Sequence, residues 1–260
     1  MTTLQEQAAH FHALHIKGDP LVLVNVWDAG STAAVQAAGA RAIATGSWSV
    51  AAAHGMEDSE AMPLDDVVAN IERIRRQTDL PLSVDIEGGY GMHPEEVGHT
   101  VRRILGAGAI GINIEDQIMG RNQLYPIEEQ CLRIAAAREA ADRYGMPLFI
   151  NARTDIFLQM NEEISGAALN QAVTAVLTRA DAYAQAGASG LFVPRLTDTG
   201  AISALCHQSE LPVNIMLSHP VSSVREWADL GVSRISYGPL PYQEVMSHLE
   251  RLARNLLDSV

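Results

Sequence analysis

Short apolar runs recur along this chain, and each is followed by a segment with helical spacing. The run LVLVNV at 21–26 reads as a buried strand ending at Trp27 and Asp28. The segment STAAVQAAG reads as the next helix, with Ser31 as expected N-cap, Gly39 as its stop and Asp28 as a second capping candidate. A second strand spans 40–47 and ends near Ser47. In 64–77, LDDVVANIERIRRQ, the residues Val67, Val68, Ile71 and Ile74 share one helical face. Further strands are expected at 82–86, 109–116, 146–153, 188–195, 211–217 and 232–238. Helices are expected at 94–108, 127–144, 167–186, near 199–208, at 221–231 and at 241–257, with a leading helix over 3–16.

These are eight strand-then-helix units, and their strands are too apolar to have a wet face. Parallel sheets covered on both sides have this pattern. Eight units in about 250 residues is the arithmetic of a (β/α)₈ TIM barrel. The expectation is one barrel domain over 1–260, preceded by the N-terminal helix. A doubly wound open sheet would need a phosphate-binding GxGxxG after an early strand, and the chain has none.

Composition narrows the partners. The chain has 260 residues, 47% hydrophobic and 19% charged, which is a globular balance. A net charge of −13 argues against nucleic acid or an anionic membrane as partner. No apolar run approaches membrane-spanning length. The N-terminal MTTLQEQAAHFHALH lacks a signal-peptide core, so a cytoplasmic location is expected. Cys131 and Cys206 lie in helical stretches and form no C-x-x-C.

In a barrel the C-terminal strand ends share one mouth. The stretch SVDIEGGYG, 83–91, brings Asp85 and Glu87 there on alternate strand positions, which point to the same side. The next strand ends in Glu115 and Asp116, and the fifth in Arg153 with Asp155 beyond. An isolated D-x-E also suits a solvated strand end, but acids on strands three and four beside an arginine on strand five suit a hard cation. Asp85, Glu87 and Glu115 are the expected oxygen ligands for Mg²⁺, with Mn²⁺ as a substitute. Arg153 can grip a substrate carboxylate bidentately. A small anionic α-oxo acid fits such a pocket, because its carboxylate and carbonyl oxygens chelate the metal and the enolate formed on bond cleavage is stabilised.

The pieces NVWDAGSTAAVQAAGARAIATGS, HGMED, VDIEGGYG, GINIED and INARTD, in this order and spacing, resemble the isocitrate lyase / phosphoenolpyruvate mutase superfamily along nearly the whole chain. The resemblance implies a barrel with a Mg²⁺ site, enolpyruvate-type chemistry and a homotetramer, a dimer of dimers in which the C-terminal helix can swap between neighbours. By motif, Asp85 is the nearest metal ligand, while Glu87 and Glu115 act through water. Ser47 and its neighbour Trp48 hold the substrate's carboxylate or carbonyl end, Asp58 sits at the pocket with Trp27 in its wall, and Arg153 clamps the anion.

The family's gating loop falls at 117–126. The lyase branches carry Lys-x-Cys-Gly-His there; this chain has QIMGRNQLYP, with neither cysteine nor histidine. The expected activity is therefore a Mg²⁺-dependent carbon–carbon lyase acting on a small α-oxo or 2-hydroxy acid, resembling oxaloacetate decarboxylase. A loop Asn122 is the feature of the phosphonate-processing branch, so C–P chemistry on phosphonopyruvate or phosphoenolpyruvate is the alternative. A catalytically weak oxo-acid-binding protein is the alternative of another class.

Overall fold

The computed structural model describes residues 3–160, 164–219 and 223–259. Nine parallel strands run in the order β1-β9-β8-β7-β6-β5-β4-β3-β2. β1 (Leu21–Leu23) pairs with β9 (Arg234–Ser236), and β2 (Asn25–Val26) pairs with β3 (Ile43–Thr45). β1 and β2 are two halves of the first barrel strand, so that strand closes the sheet on itself. The remaining staves are β4 (Leu82–Asp85), β5 (Gly111–Glu115), β6 (Phe149–Arg153), β7 (Gly190–Val193) and β8 (Val213–Met216). The expected (β/α)₈ architecture is the one observed.

The helices form where the pattern and the capping residues agree. α1 (Leu4–Ala13) starts with a capping box between Thr3 and Glu6. α2 (Ala29–Ala37) is capped by Asp28, whose carboxylate accepts from Ser31 N at 2.7 Å. Ser31 is thus inside the first turn, and the expectation that it is the N-cap is corrected. α3 (Ser47–Ala53) is a short helix that the pattern did not reveal, because its seven residues are too few to show a period. α4 (Leu64–Gln77) places Asp65 and Asp66 in its first turn and Arg75 and Arg76 in its last, in accord with the helix dipole. α5 (Pro94–Gly106) and α6 (Ile127–Tyr144) follow, and α6 stops at Gly145 with φ 74°. α7 (Gly166–Gln185), α8 (Thr199–Gln208), α9 (Arg225–Asp229) and α10 (Leu240–Leu257) complete the chain. No helix among the described residues is long and apolar enough to cross a membrane.

α1 plugs the base of the barrel. Phe11 is fully buried and meets Phe149, the first residue of β6, edge to face at 5.4 Å. Gly111 opens β5 beneath it; a Cβ there would come within 3.1 Å of the Phe11 ring, a tight contact that glycine avoids. With the base closed, the strands present their C-terminal ends as the accessible mouth.

Candidate active site

A cavity of about 180 Å³ opens at that mouth. Its wall includes Ser47, Trp48, Asp58, Asp85 and Arg153, and its floor includes Asn25, Asn113 and Ser236. Asp85 ends β4, and both the backbone N–H and the hydroxyl of Ser47 donate to its Oδ2, at 3.3 and 3.1 Å. The start of α3 therefore holds the Asp85 carboxylate in place. Asp58 comes in on the loop after α3. Burial first, and then the charge of Asp85, raise its carboxyl above the ordinary aspartate range.

Arg153 lines the same cavity, but its guanidinium is already engaged. Nε and Nη2 donate to Asp155 at 2.6 and 2.9 Å, and Nη2 lies 2.6 Å from Glu115 Oε2. Burial works against its charge, yet Glu115 and Asp155 outweigh burial and hold it above its usual range. Glu115 is almost wholly buried, and burial lifts its carboxyl well above the glutamate range against the pull of Arg153. Asp155 is fixed in turn by its backbone N–H donating to Asp116 Oδ1 at 2.9 Å. Asp116 also accepts from Tyr183 at 2.8 Å and pairs with Arg179 at 3.2 Å. Asp116 and Asp155 thus support Arg153 from behind.

Glu87 departs from the alternation expected for a D-x-E strand. β4 stops at Asp85, and Glu87 has a φ of 50°. Its side chain turns to the neighbouring loop and accepts from Glu60 N at 2.6 Å and from the Tyr90 hydroxyl at 3.2 Å. Glu60 then accepts from Tyr90 N at 2.7 Å, which closes a three-membered ring. Ser59, Glu60, Glu87 and Tyr90 all hold positive φ. Non-glycine residues adopt that region at a cost, so the ring of bonds is what sustains it. The ring fixes the loop that carries Asp58. Burial, followed by the charge of Asp58, raises the Glu87 carboxyl to about 7.

Of the three expected metal ligands, Asp85 lines the cavity, and Glu87 and Glu115 stand behind it. Among the described residues no three acidic, histidine or cysteine side chains converge as direct ligands of one ion. The donor set still fits Mg²⁺. Burial, with the charge of Asp85 among the further causes, raises the carboxyls of Asp58, Glu87 and Glu115 around a single arginine that is already shared. A cation held by one or two carboxylates and its own waters relieves that repulsion.

Two expected substrate contacts lie elsewhere. Trp27 is half-buried and meets Tyr242 edge to face at 5.0 Å; Tyr242 in turn meets Trp48, so Trp27 backs the wall without lining it. Asn122 is exposed on the 117–126 loop, which is held by a bridge between Gln117 and Leu124, and it does not reach the cavity. Sequence reasoning missed Glu60, Tyr90 and the floor. A signal for the floor was there: Asn25, Asn113, Asn151 and Asn214 each interrupt an otherwise apolar strand.

The model of the phosphoenolpyruvate phosphomutase family matches residues 11–257. A solved structure of a "putative phosphonomutase" from Burkholderia cenocepacia J2315 is 48% identical, with a TM-score of 0.93, over 97% of this chain and 99% of that one. The 2-methylisocitrate lyase of Escherichia coli K12 is 31% identical over 219 residues, 81% of this chain and 70% of that protein. The oxaloacetate decarboxylase of Rhodopseudomonas palustris BisB18 is 30% identical over 187 residues, 70% of this chain and 59% of that protein. With the barrel and its acidic mouth in place, these matches make the chain a member of the phosphoenolpyruvate phosphomutase family, within the isocitrate lyase / phosphoenolpyruvate mutase superfamily of lyases and mutases.

Proposed function

We propose that the protein is a Mg²⁺-dependent lyase that breaks the carbon–carbon bond next to the carbonyl of a small α-oxo acid, as oxaloacetate decarboxylase does. The observation that carries this reading is the cavity itself: Asp85 pinned by Ser47, with Asp58 and Arg153 beside it, and no titratable group from the 117–126 loop within it. Decarboxylation needs an electron sink and a carboxylate held out of the carbonyl plane; it needs no strong base.

Asp85, with Glu87 and Glu115 behind it, would hold the ion, which when bound would supply an electrophile for the oxo group. The protein's residues do the rest. Arg153 is immobilised by Asp155 and Glu115, and its Nη1, which meets no acceptor among the described residues, is the donor left for a substrate carboxylate. Ser47 and Trp48 close the opposite wall. The bond to the departing carboxylate breaks, CO₂ leaves, and the electron pair enters the enolate. Asp58, with its raised carboxyl, is placed to return a proton to carbon. Incubation of the purified protein with Mg²⁺ and oxaloacetate, or a 3-substituted analogue, is expected to release pyruvate or its homologue. Absence of release from every such acid would sink the proposal.

The 48% identity to the phosphonomutase candidate favours a second reading, C–P chemistry on phosphonopyruvate or phosphoenolpyruvate. Phosphorus NMR of the incubated substrate separates the two. An oxo-acid-binding protein without turnover would instead show thermal stabilisation by Mg²⁺ and oxalate and no product.

Subunit association belongs to the same proposal. α10 presents Val245, Leu249, Leu252 and Leu256 to solvent at helical spacing. A homotetramer, a dimer of dimers with α10 laid on a neighbour, covers that stripe; sedimentation at monomer mass would exclude it.

A further inference from the structure

Arg234 is a fully buried arginine in the middle of the barrel, on β9, directly below the cavity floor. Its bonds go to neutral groups: Nε to Ser236 Oγ at 3.4 Å and Nη2 to Asn113 Oδ1 at 3.3 Å. Nη1 is buried without a partner, and no carboxylate lies within ion-pair reach among the described residues. Arg133, the other buried arginine, and the half-buried Arg153 and Arg179 differ. Arg133 is spent on the backbone carbonyls of Gly88, Gly91 and Met92, Arg153 on Glu115 and Asp155, and Arg179 on Asp116.

An unpaired buried charge costs several kcal/mol, and a fold seeking stability alone would place an apolar side chain here. Burial pulls the Arg234 guanidinium down to about 9, which leaves it charged at neutral pH; the charge of Asp85 is what opposes that pull. Both acceptors of Arg234 line the cavity. Asn151 also donates to Asn113 Oδ1, at 2.9 Å, and the Ser236 hydroxyl donates to Asn214 Oδ1 at 3.2 Å. The two floor residues therefore hang from one polar layer centred on Arg234. At the mouth, Arg153 is shared between two acids, whereas Arg234 has no carboxylate within ion-pair reach among the described residues.

We propose that Arg234 is a positioning residue for anion recognition: it orients Asn113 and Ser236 and sets a positive floor beneath the acidic mouth, so that a small carboxylate ligand of the oxo-acid class seats on that floor. This rests on reading the cavity as an oxo-acid site, whichever bond is broken there.

The test compares the full-length protein with Arg234→Met and Arg234→Lys. The probe is oxalate, titrated calorimetrically with Mg²⁺ present, and thermal unfolding is followed in parallel. Arg234→Met is expected to melt at or above the wild-type temperature and to bind oxalate about tenfold or more weakly. Arg234→Lys, which keeps the charge, is expected to recover most of the affinity. A structural role predicts the reverse: a fall in melting temperature, or no folded protein, for Arg234→Met, and unchanged oxalate affinity in whatever folds. Either result overturns the proposal, as does an Arg234→Lys variant no better than Arg234→Met. If the wild type binds oxalate and Arg234→Met binds it equally well, this inference fails alone; if the wild type does not bind oxalate, the reading of the cavity fails with it. Absence of pyruvate release with oxalate binding intact would leave the role of Arg234 standing.

Discussion

β6 begins at Phe149 and ends at Arg153, and the two ends of this one strand sit in opposite environments. At the base, Phe149 is buried against Phe11 and His15 of the N-terminal segment, and the His15 ring stacks on it at 3.9 Å. At the mouth, Arg153 lies among Glu115, Asp155 and Asp85. The base is packed for stability. The mouth gathers like charges that repel one another, an arrangement that packing for stability alone does not produce. The same backbone ladder carries both, so damage at one end is expected to leave the other intact.

The largest test of that separation is Asp85→Asn. Loss of the carboxylate is expected to lower pyruvate release on the order of 10³-fold while the melting temperature holds or rises, since one member of a repelling group has gone. A melting temperature that fell with activity would break the comparison. Phe11→Ala is the counterpart at the base. It is expected to cost about 3–5 kcal/mol in urea unfolding, with kcat/KM per folded molecule unchanged.

pH separates the two ends by sign. His15 donates Nδ1–H to Phe11 O at 2.8 Å, and its Nε2 is buried without a partner. Burial, and then the charge of Arg234, lower its pKa to about 3. The unfolded chain takes up that proton near pH 6.5 and the folded chain does not, so the base loses stability as pH falls below 6.5 towards 3. Between pH 6.5 and 4.5 the loss is about 2–3 kcal/mol, and the difference between wild type and His15→Leu isolates it. The mouth runs the other way in metal-free protein. Glu87, raised to about 7, binds its proton in the folded state first, so its contribution grows as pH falls from 7 towards 4.5. Parallel profiles for the two proteins would show that His15 is not the base's titrating group.

The smallest effect is expected from Tyr90→Phe. It removes one bond of the ring that fixes the Asp58 loop, at about 1 kcal/mol of stability. A rise in KM of a few-fold, with kcat held, would place the ring in positioning; an unchanged KM would confine it to stability.

Much of the mouth was legible because a barrel gathers strand ends, so order along the chain is enough to bring Ser47, Asp85 and Arg153 together. What was illegible depends on contacts across long separations. Glu87 and Glu60 are 27 residues apart, and Arg234 and Asn113 are 121 apart. The D-x-E spacing predicted two acids on one face, but the strand ended at Asp85, two residues short of Glu87. A single positive φ at Glu87 then sent its side chain to a loop. Asn122 and Trp27 carry the right residue types for a ligand, yet one stays on an exposed loop and the other is screened by Tyr242.

The sequence by itself determined the alternation of parallel strands and helices, and with it the barrel, because hydrophobic period is a local property that survives any choice of partner. It also brought Ser47, Asp85 and Arg153 to the mouth. Only the tertiary structure decided their company: Asp85 pinned by Ser47, Arg153 shared between two acids, Glu87 turned towards Glu60, and Arg234 left as a charge without a counterion under the floor. Periodicity says which face a side chain takes; its partners are set by where the closed sheet brings distant strands and loops together.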